Sequence, residues 1–243
     1  SIGRSERRLV CSLLLGGSMP FAFRSAGFGI LPLLLTLWVA TGALAEPRAL
    51  GLADRKPHAG VARAHEMPVQ GIDVSQWQGD VDWRQVRAAG TQFAFIKATE
   101  GADHLDPKFR QNWYAAKAAG IPRGAYHMLY WCSSAEEQAR WFMANVPFDP
   151  DALPPVLDLE WNHYSRTCPN GATPDLALRK IKLMLDMMES YTGKRPIIYT
   201  DVAFHRDVLQ GELADYNFWL RSVAAEPQEI FAGRPFLFWQ FTT

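Results

Sequence analysis

Residues 71–101 have the sequence GIDVSQWQGDVDWRQVRAAGTQFAFIKATEG, and this stretch decides the fold class. It contains two strand-like runs, QGIDVSQW (70–77) and FAFIKAT (93–99), which alternate faces or are rich in aromatic and β-branched residues. Between them, Asp82 is followed three residues later by Gln85, a pattern that resembles a capping box and predicts the start of a helix. A strand, a helix and a second strand with short connections predict a parallel sheet.

The same alternation continues along the chain. Further strand-like runs lie at 123–129, 155–161, 195–200, 218–223 and 235–241. Further helix starts are predicted at Asp106-Pro107, at Ser134 with Glu137, and at Thr173-Pro174. After Thr200 the helical segments shorten and the strands follow one another closely. The prediction is therefore an α/β fold, an irregular (β/α) barrel of TIM-like type, with about five βα units followed by less regular strands.

Length and composition favour one globular domain. The chain has 243 residues, 48% of them hydrophobic, and its 25 basic and 25 acidic residues balance. A sizeable core is therefore possible, and nothing in the charge indicates a nucleic-acid partner. Nine Trp and seven Tyr suit a ligand-binding cleft as well as a core.

The N-terminal part has a different composition. Residues 19–45 contain Arg24, an apolar run over 30–40 and the small-residue pattern Ala43-Leu44-Ala45, which are typical of a secretory signal cleaved after Ala45. A membrane anchor is the competing interpretation, but the apolar run is short and contains Pro32. We therefore expect an exported protein, in the periplasm or outside the cell, with no stable membrane insertion after cleavage. The predicted organisation is upstream sequence that is not part of the protein (1–18), a signal peptide (19–45), a linker or disordered tail (46–69) and the functional domain (70–243).

Two cysteines, Cys132 and Cys168, follow the predicted signal. In an exported protein they form either one disulfide or two free thiols, and export favours the disulfide.

Acidic residues occur near the ends of predicted strands. Asp158 and Glu160 are two residues apart in VLDLEWN (156–162), so in a strand their side chains point to the same face. Asp73 lies in the first strand, and in parallel barrels functional residues collect at the carboxyl ends of the strands. The structural alternative is a capping or ion-paired acid at a strand end.

Two neighbouring carboxylates suit glycoside cleavage, which needs a proton donor and an anionic group near the sugar. Mutual repulsion and burial keep one carboxyl group protonated near neutral pH. Glu160 is predicted as the general acid, Asp158 as a charged or substrate-orienting group, and Asp73 as a group that raises a neighbouring pKa or holds the sugar.

Other chemistries have little support in the sequence. No zinc-type histidine or cysteine spacing is present, and neither GxSxG nor a phosphate-binding GxxxxGK[ST] motif occurs, so no metal and no cofactor are expected. Lys97 and Glu100 in IKATEG are more simply explained as an ion pair or loop anchor than as reacting groups.

Six segments of the sequence resemble a known family. The segments 71–101, GAYHML (124–129), PPVLDLEW (154–161), PIIYT (196–200), FWLRSV (218–223) and FWQFTT (238–243) resemble glycoside hydrolase family 25, the Ch-type lysozymes. The resemblance runs from about Gly71 to the end of the chain in the order of the family.

The resemblance implies a flattened α/β barrel and hydrolysis of the β-1,4 bond between N-acetylmuramic acid and N-acetylglucosamine in peptidoglycan. It maps the family's acids onto Asp73, Asp158 and Glu160, with Glu160 as the proton donor. The residues expected to bind substrate are Tyr126, Tyr199, Trp161, Trp219 and Trp239. Glycan strands of peptidoglycan are the expected partner, and a monomer is the expected state.

In one respect the sequence departs from the family. Members usually continue from the W-Q-[YF] strand into a V-D-x-N stretch, whose Asp completes the acidic cleft. Either the sequence is truncated or the protein lacks that last strand and its carboxylate, and the start without Met favours truncation. Two alternative functions remain open at this stage. One is a non-catalytic peptidoglycan-binding module, and the other is a glycosidase that acts on chitin-like β-1,4-N-acetylglucosamine chains.

Overall fold

The computed structural model describes residues 9–11, 62–163, 165–169 and 171–242. The predicted signal peptide (19–45) lies outside the described residues, as do the predicted linker up to residue 61 and most of the predicted upstream sequence. In the described part of the chain, no helix is both long and apolar enough to span a bilayer.

Nine strands of the described residues form one sheet. They are β1 (Leu9–Cys11), β2 (Val69–Val74), β3 (Phe93–Glu100), β4 (His104–Leu105), β5 (Arg123–Met128), β6 (Val156–Leu159), β7 (Ile197–Thr200), β8 (Asn217–Arg221) and β9 (Phe238–Gln240). The order in the sheet is β2-β1-β9-β8-β7-β6-β5-β3-β4, and β2 also pairs with β3. Every pairing is parallel except that of β4 with β3. The fold is therefore α/β with a curled parallel sheet.

Helices follow most of the strands. They are α1 (Trp83–Ala88), α2 (Phe109–Ala118), α3 (Ala135–Asn145), α4 (Pro174–Thr192), α5 (Val202–Phe204) and α6 (Pro227–Ile230). Short 3-10 helices span Ala62–Glu66 and Gln76–Gln78, and a π-helical turn, His205–Leu209, continues α5. The predicted shortening of the helical segments after Thr200 is confirmed.

Three of the predicted helix starts are confirmed by their caps. Asp82 accepts hydrogen bonds from the backbone of Arg84 and Gln85, Ser134 forms a reciprocal capping box with Glu137, and Thr173 caps α4. The predicted start at Asp106-Pro107 is wrong, because α2 begins at Phe109. The Asp106 carboxylate instead accepts hydrogen bonds from the backbone N–H groups of Lys108 and Gln76, so Pro107 and Lys108 form a turn before the helix.

The sheet has two apolar faces. Alternate residues of the strands form an inner cluster made of Phe93, Phe95, Val156, Ile197, Tyr199, Trp219 and Phe238. Gly71 and Gly124 make room for this cluster, since a Cβ at Gly71 would overlap the ring of Phe93 and one at Gly124 would overlap Phe95. The outer face packs against the helices in a larger cluster that includes the buried side of α4.

Two segments that the sequence analysis placed before the functional domain have described structure. Leu9–Cys11, which belongs to the predicted upstream sequence, pairs with both β2 and β9. The described end of the predicted linker is folded, because Ala64 of the first 3-10 helix is buried against Trp239 and Phe241. Gln70 fixes this helix by donating hydrogen bonds to the carbonyl groups of Ala64 and Met67.

Candidate active site

The three predicted acids line one cavity at the carboxyl ends of the parallel strands. Asp73 lies on β2, Asp158 lies on β6, and Glu160 follows β6 directly. The cavity has a volume of about 140 Å³. Its other lining residues are Tyr126, Val156, Tyr199, Trp219 and Gln240.

Asp158 is the more buried member of the acidic pair that it forms with Glu160. Its side chain is only 8% exposed, and its Oδ1 atom has no hydrogen-bond partner among the described residues. Burial raises the pKa of Asp158 well above its ordinary value, and the charge of Glu160 raises it further, while Lys97 acts in the opposite direction. Burial and the neighbouring charge therefore disfavour a second negative charge in the Asp158–Glu160 pair.

Glu160 lies where two cavities meet. Besides the 140 Å³ cavity, it lines a larger cavity of about 550 Å³. The other residues of the larger cavity are Glu100, Met128, Tyr130, Trp161, Asn162, His163, Ser165, Asp201, Ala203 and Arg221. A polymer that passes from one cavity to the other would therefore cross the carboxyl group of Glu160.

The backbone of Glu160 is held by Trp131, which packs in the cluster between the sheet and the helices. The indole N–H of Trp131 donates a hydrogen bond of 3.0 Å to the carbonyl oxygen of Glu160. The Trp131 ring is itself stacked on Phe204 with a centroid distance of 5.1 Å, and Lys180 Nζ lies 2.6 Å from the Trp131 carbonyl oxygen. Glu160 is thus fixed at the strand end by groups that the sequence analysis did not identify.

Asp73 is part of a hydrogen-bonded chain across the cavity. The side-chain amide of Gln240 donates to both carboxylate oxygens of Asp73, at 3.0 and 3.2 Å. The hydroxyl of Tyr199 donates to the amide oxygen of Gln240 at 2.7 Å. Gln240 was missed by the sequence analysis, although its position two residues after the inward-facing Phe238 places it on the cavity face.

Tyr126 and Tyr199 reach the cavity as predicted and remain neutral phenols. Burial raises the pKa of each well above its ordinary value, and the surrounding acids, Asp73 near Tyr126 and Glu160 near Tyr199, raise it further. The Tyr126 hydroxyl can therefore donate a hydrogen bond to a sugar, whereas the Tyr199 hydroxyl donates to Gln240 and can accept a hydrogen bond from a sugar.

The three predicted tryptophans take different places. Trp219 is buried and lines the smaller cavity, and its indole N–H has no partner among the described residues. Trp161 lines the larger cavity, and its N–H donates to Asp207 at 3.0 Å. Trp239 lines neither cavity, because it points to the other face of β9 and donates its N–H to the Ser222 carbonyl at 2.7 Å.

Glu100 is held in one wall of the larger cavity. Lys97 and Tyr130 both hydrogen-bond to its carboxylate, so the ion pair predicted for Lys97 and Glu100 is present. Burial acts to raise the pKa of Glu100, but the charge of Lys97 and these hydrogen bonds lower it below its ordinary value. The same carboxylate, together with burial, raises the pKa of Tyr130 to about 12. Glu100 is therefore a stable anion beside the cavity.

A disulfide holds the loop that supplies Ser165 to the larger cavity. Cys132, which follows β5, is bonded to Cys168, with Cα atoms 5.6 Å apart, so the structure contains the disulfide rather than two free thiols. Cys168 lies in the loop between β6 and α4, and its N–H donates to Ser165, which lines the cavity. Asn162 in the same loop donates to the Leu129 carbonyl at 3.1 Å.

In the part of the chain that the structure describes, no group of three or more histidine, cysteine or acidic side chains is arranged to hold a metal ion.

The comparisons with known proteins agree in one family. The model of Glycosyl hydrolases family 25 matches residues 72–243. Lysozyme M1 of Streptomyces globisporus is 35% identical over 182 residues, which are 72% of this chain and 62% of that protein. The structure of a family 25 glycosyl hydrolase from Bacillus anthracis has a TM-score of 0.69 and 33% identity, covering 77% of this chain and 84% of that one.

The chain matches only part of the length of its curated relatives. The uncharacterized protein YegX of Escherichia coli K12 is 40% identical over 158 residues. This alignment covers 63% of the present chain and 55% of YegX, so the chain spans little more than half of that relative.

Proposed function

We propose, from the premise that the chain belongs to glycoside hydrolase family 25, that it is a lysozyme-type muramidase. Its reaction would be hydrolysis of the β-1,4 bond between N-acetylmuramic acid and N-acetylglucosamine in peptidoglycan. Lysozyme M1, a relative that covers most of this chain, carries a name for this type of activity. The observation that carries the proposal is the position of Glu160, which lies between two cavities and beside the buried carboxyl group of Asp158.

In this mechanism the Asp158–Glu160 pair retains one proton, since burial and mutual repulsion disfavour two neighbouring negative charges. Glu160 donates that proton to the glycosidic oxygen as the bond from this oxygen to the sugar carbon C1 breaks. The acetamide oxygen of the same sugar attacks C1 as the protonated glycosidic oxygen leaves. Asp158, the member of the pair without the proton, orients the acetamide by accepting its N–H through Oδ1, which has no hydrogen-bond partner among the described residues. Water then attacks C1, the bond from C1 to the acetamide oxygen breaks, and Glu160 takes up the proton that the water loses. Asp73, held by Gln240, hydrogen-bonds the sugar.

Tyr126 would donate a hydrogen bond to the sugar in the smaller cavity, Tyr199 would accept one, and Trp219 would contact the sugar ring. Trp161 would contact the neighbouring sugar in the larger cavity. Trp239 takes no part, because its indole is buried on the other side of the strand.

Replacing Glu160 by Gln tests the proposed general acid. The amide cannot supply the proton, so clearing of a cell-wall suspension should slow by about 10²- to 10⁴-fold. Binding to insoluble peptidoglycan should be retained, because the amide has almost the same shape. Glu229→Gln is the matched control, since Glu229 is exposed and lines neither cavity.

Clearing by Glu160→Gln at the wild-type rate would refute the assignment. A wild-type protein that binds peptidoglycan without clearing it would instead be a non-catalytic module. Mass spectrometry of the new reducing ends identifies the bond that is cut, because muramic acid ends require a muramidase and glucosamine ends from chitin-like chains require the alternative glycosidase.

The finer architecture and the cellular setting belong to the same proposal. We infer a TIM-like barrel of about five βα units with less regular later strands, acting as a monomer after export to the periplasm or the medium. Fractionation of cells that produce the full chain, followed by N-terminal sequencing of the mature protein, would test cleavage after Ala45.

A further inference from the structure

Trp77 is the most exposed large hydrophobic side chain of the described residues, at 80%. It lies in the 3-10 turn Gln76–Gln78, which follows β2 at the same edge of the sheet where Asp73 lines the smaller cavity. Trp77 belongs to none of the hydrophobic clusters formed by the described residues. An exposed indole at this edge therefore has no role in the core.

The turn that carries Trp77 is held by several hydrogen bonds. Ser75 and Gln78 form a reciprocal capping box, in which the backbone N–H of Ser75 donates to Gln78 Oε1 at 2.7 Å. The backbone N–H of Trp77 donates to Ser75 Oγ at 3.3 Å. The Gln76 N–H donates to the Asp106 carboxylate at 2.9 Å. The backbone of Trp77 is thus fixed before any ligand arrives, which lowers the entropy cost of binding to its ring.

The anchor of this turn lies close to the cavity. Asp106 is buried, and its backbone N–H donates to the Ala98 carbonyl near the end of β3. Burial is the main cause that raises the pKa of Tyr126, which lines the cavity, and the charges of Asp73 and Asp158 come next. The charge of the Asp106 carboxylate raises the same pKa further. The turn of Trp77 is therefore built onto the rim of the cavity.

The two cavities give the cleft a direction. Glu160 lines both, whereas Asp73 and Gln240, on β2 and β9, line only the smaller one. A glycan that occupies both cavities contacts Glu160 and Asp73. The chain segment that continues from Asp73 carries Trp77 in the turn directly after β2.

We propose that Trp77 is a stacking platform for one further sugar ring of the substrate, an N-acetylhexosamine of the glycan strand that lies outside the smaller cavity. A pyranose ring presents an apolar face of C–H groups, and a flat indole offers a large apolar surface for it at little conformational cost. This inference rests on the proposed function for the identity of the ligand. It adds a binding site for long strands that short saccharides cannot reach.

The experiment measures binding in the Glu160→Gln background, so that cleavage does not deplete the ligand. Trp77→Ala, Trp77→Phe and the control Tyr114→Ala are compared. Tyr114 is also exposed, at 58%, but lies on α2 away from both cavities. The ligands are purified long glycan strands and the N-acetylglucosamine–N-acetylmuramic acid disaccharide, and binding is followed by sedimentation for the strands and by calorimetry for the disaccharide.

We expect Trp77→Ala to weaken binding of long strands by about five- to tenfold, the loss of one aromatic stacking contact. Binding of the disaccharide should be unchanged, Trp77→Phe should recover most of the affinity, and Tyr114→Ala should match the parent. Equal affinity of the Trp77→Ala and Tyr114→Ala proteins for long strands overturns the proposal, as does an equal loss for the disaccharide. Binding is measured in a variant that does not cleave the glycan. Absence of lytic activity in the wild type would therefore refute the muramidase proposal, while the comparison of glycan binding would still test the role of Trp77.

Discussion

Gln240 links two residues of the smaller cavity, Asp73 and Tyr199, and is expected to set the orientation of the Asp73 carboxylate. A hydrogen bond to a charged group contributes about 1.5–3 kcal/mol. Gln240→Leu removes both hydrogen bonds that the Gln240 amide donates to Asp73, while keeping a side chain of similar size. We therefore expect kcat/KM on cell walls to fall by about 10- to 100-fold. Tyr199→Phe should cost less, because Gln240 still reaches Asp73.

The role of Gln240 as a positioning residue can be separated from general damage to the fold. If Gln240 acts through Asp73, the double variant with Asp73→Asn should be no worse than the more impaired single variant. Additive losses in the double variant, or unchanged kcat/KM in Gln240→Leu, would contradict this role.

Residue-level prediction from the sequence succeeded for groups defined by their own chemistry. Asp73, Asp158 and Glu160 were recognised as acids at strand ends, and the structure brings them to one cavity. The sequence did not predict which residues of β9 reach the cavity, because this depends only on the face of the strand that each residue occupies. Trp239 and Gln240 are adjacent, so one must face inward and the other outward, and the choice depends on the register of β9 with β8, which pairs Trp219 with Phe238 and Arg221 with Gln240.

At the scale of elements, the disulfide joins the loop after β5 to the loop that precedes α4. It closes a segment with a sequence separation of 36 residues. In the chain-entropy model a loop of this size stabilises the folded state by about 3–4 kcal/mol, within the usual range for disulfides. Replacing both Cys132 and Cys168 by Ser should therefore lower the free energy of unfolding by about 2–4 kcal/mol in denaturant titrations.

Reductant supplies the matched control for the disulfide. Dithiothreitol should lower the unfolding midpoint of the wild type to that of the double serine variant, and should leave the variant unchanged. Identical midpoints for the oxidised wild type and the variant would show that the loop is held by other contacts, such as the hydrogen bond from Asn162 to Leu129.

The start of a helix was predictable where a side chain caps the helix that directly follows it. It was not predictable where the side chain hydrogen-bonds to a segment far away in the sequence. Asp82, Ser134 and Thr173 cap the helices that follow them, as their sequence patterns predict. Asp106 has the same local pattern, but its carboxylate is shared with the backbone of Gln76, which is 30 residues away. That contact depends on the parallel pairing of β2 with β3, which a local pattern does not contain.

At the scale of the whole molecule, the inner side of the curled sheet is divided into an apolar layer and a polar layer. Phe93, Phe95 and Phe238 pack against each other inside the sheet, on β3 and β9. The acids lie at the carboxyl ends of two other strands, β2 and β6. Asp158 is buried near this apolar layer, so its ionisation opposes folding. Because its folded pKa is raised, its contribution to stability is fully present below the unfolded pKa of 3.8 and is lost as pH rises through the folded pKa.

His127 should make stability depend on pH in the opposite direction. It is fully buried between strand β5 and helix α3, with Nδ1 2.8 Å from Thr99 Oγ1 and Nε2 3.2 Å from Gln138 Oε1. Burial lowers the pKa of His127 from 6.5 to about 4, although the hydrogen bond with Gln138 partly opposes this. Between these values the unfolded chain binds more protons than the folded one, so the free energy of unfolding falls as pH drops from about 6.5 to about 4.

The total loss from His127 over this window should be about 3 kcal/mol. Because Asp158 acts with the opposite sign in part of the same window, the prediction is the difference between wild type and a His127→Gln variant, in which the contribution of Asp158 cancels. Denaturant unfolding at several pH values should give a flatter decline for His127→Gln below pH 6.5 than for the wild type. His163→Gln, at an exposed histidine, should keep the wild-type slope. Parallel curves for wild type and His127→Gln would mean that the buried imidazole binds its proton equally well in the folded and unfolded states, and the acid sensitivity of the molecule would then have to come from other groups.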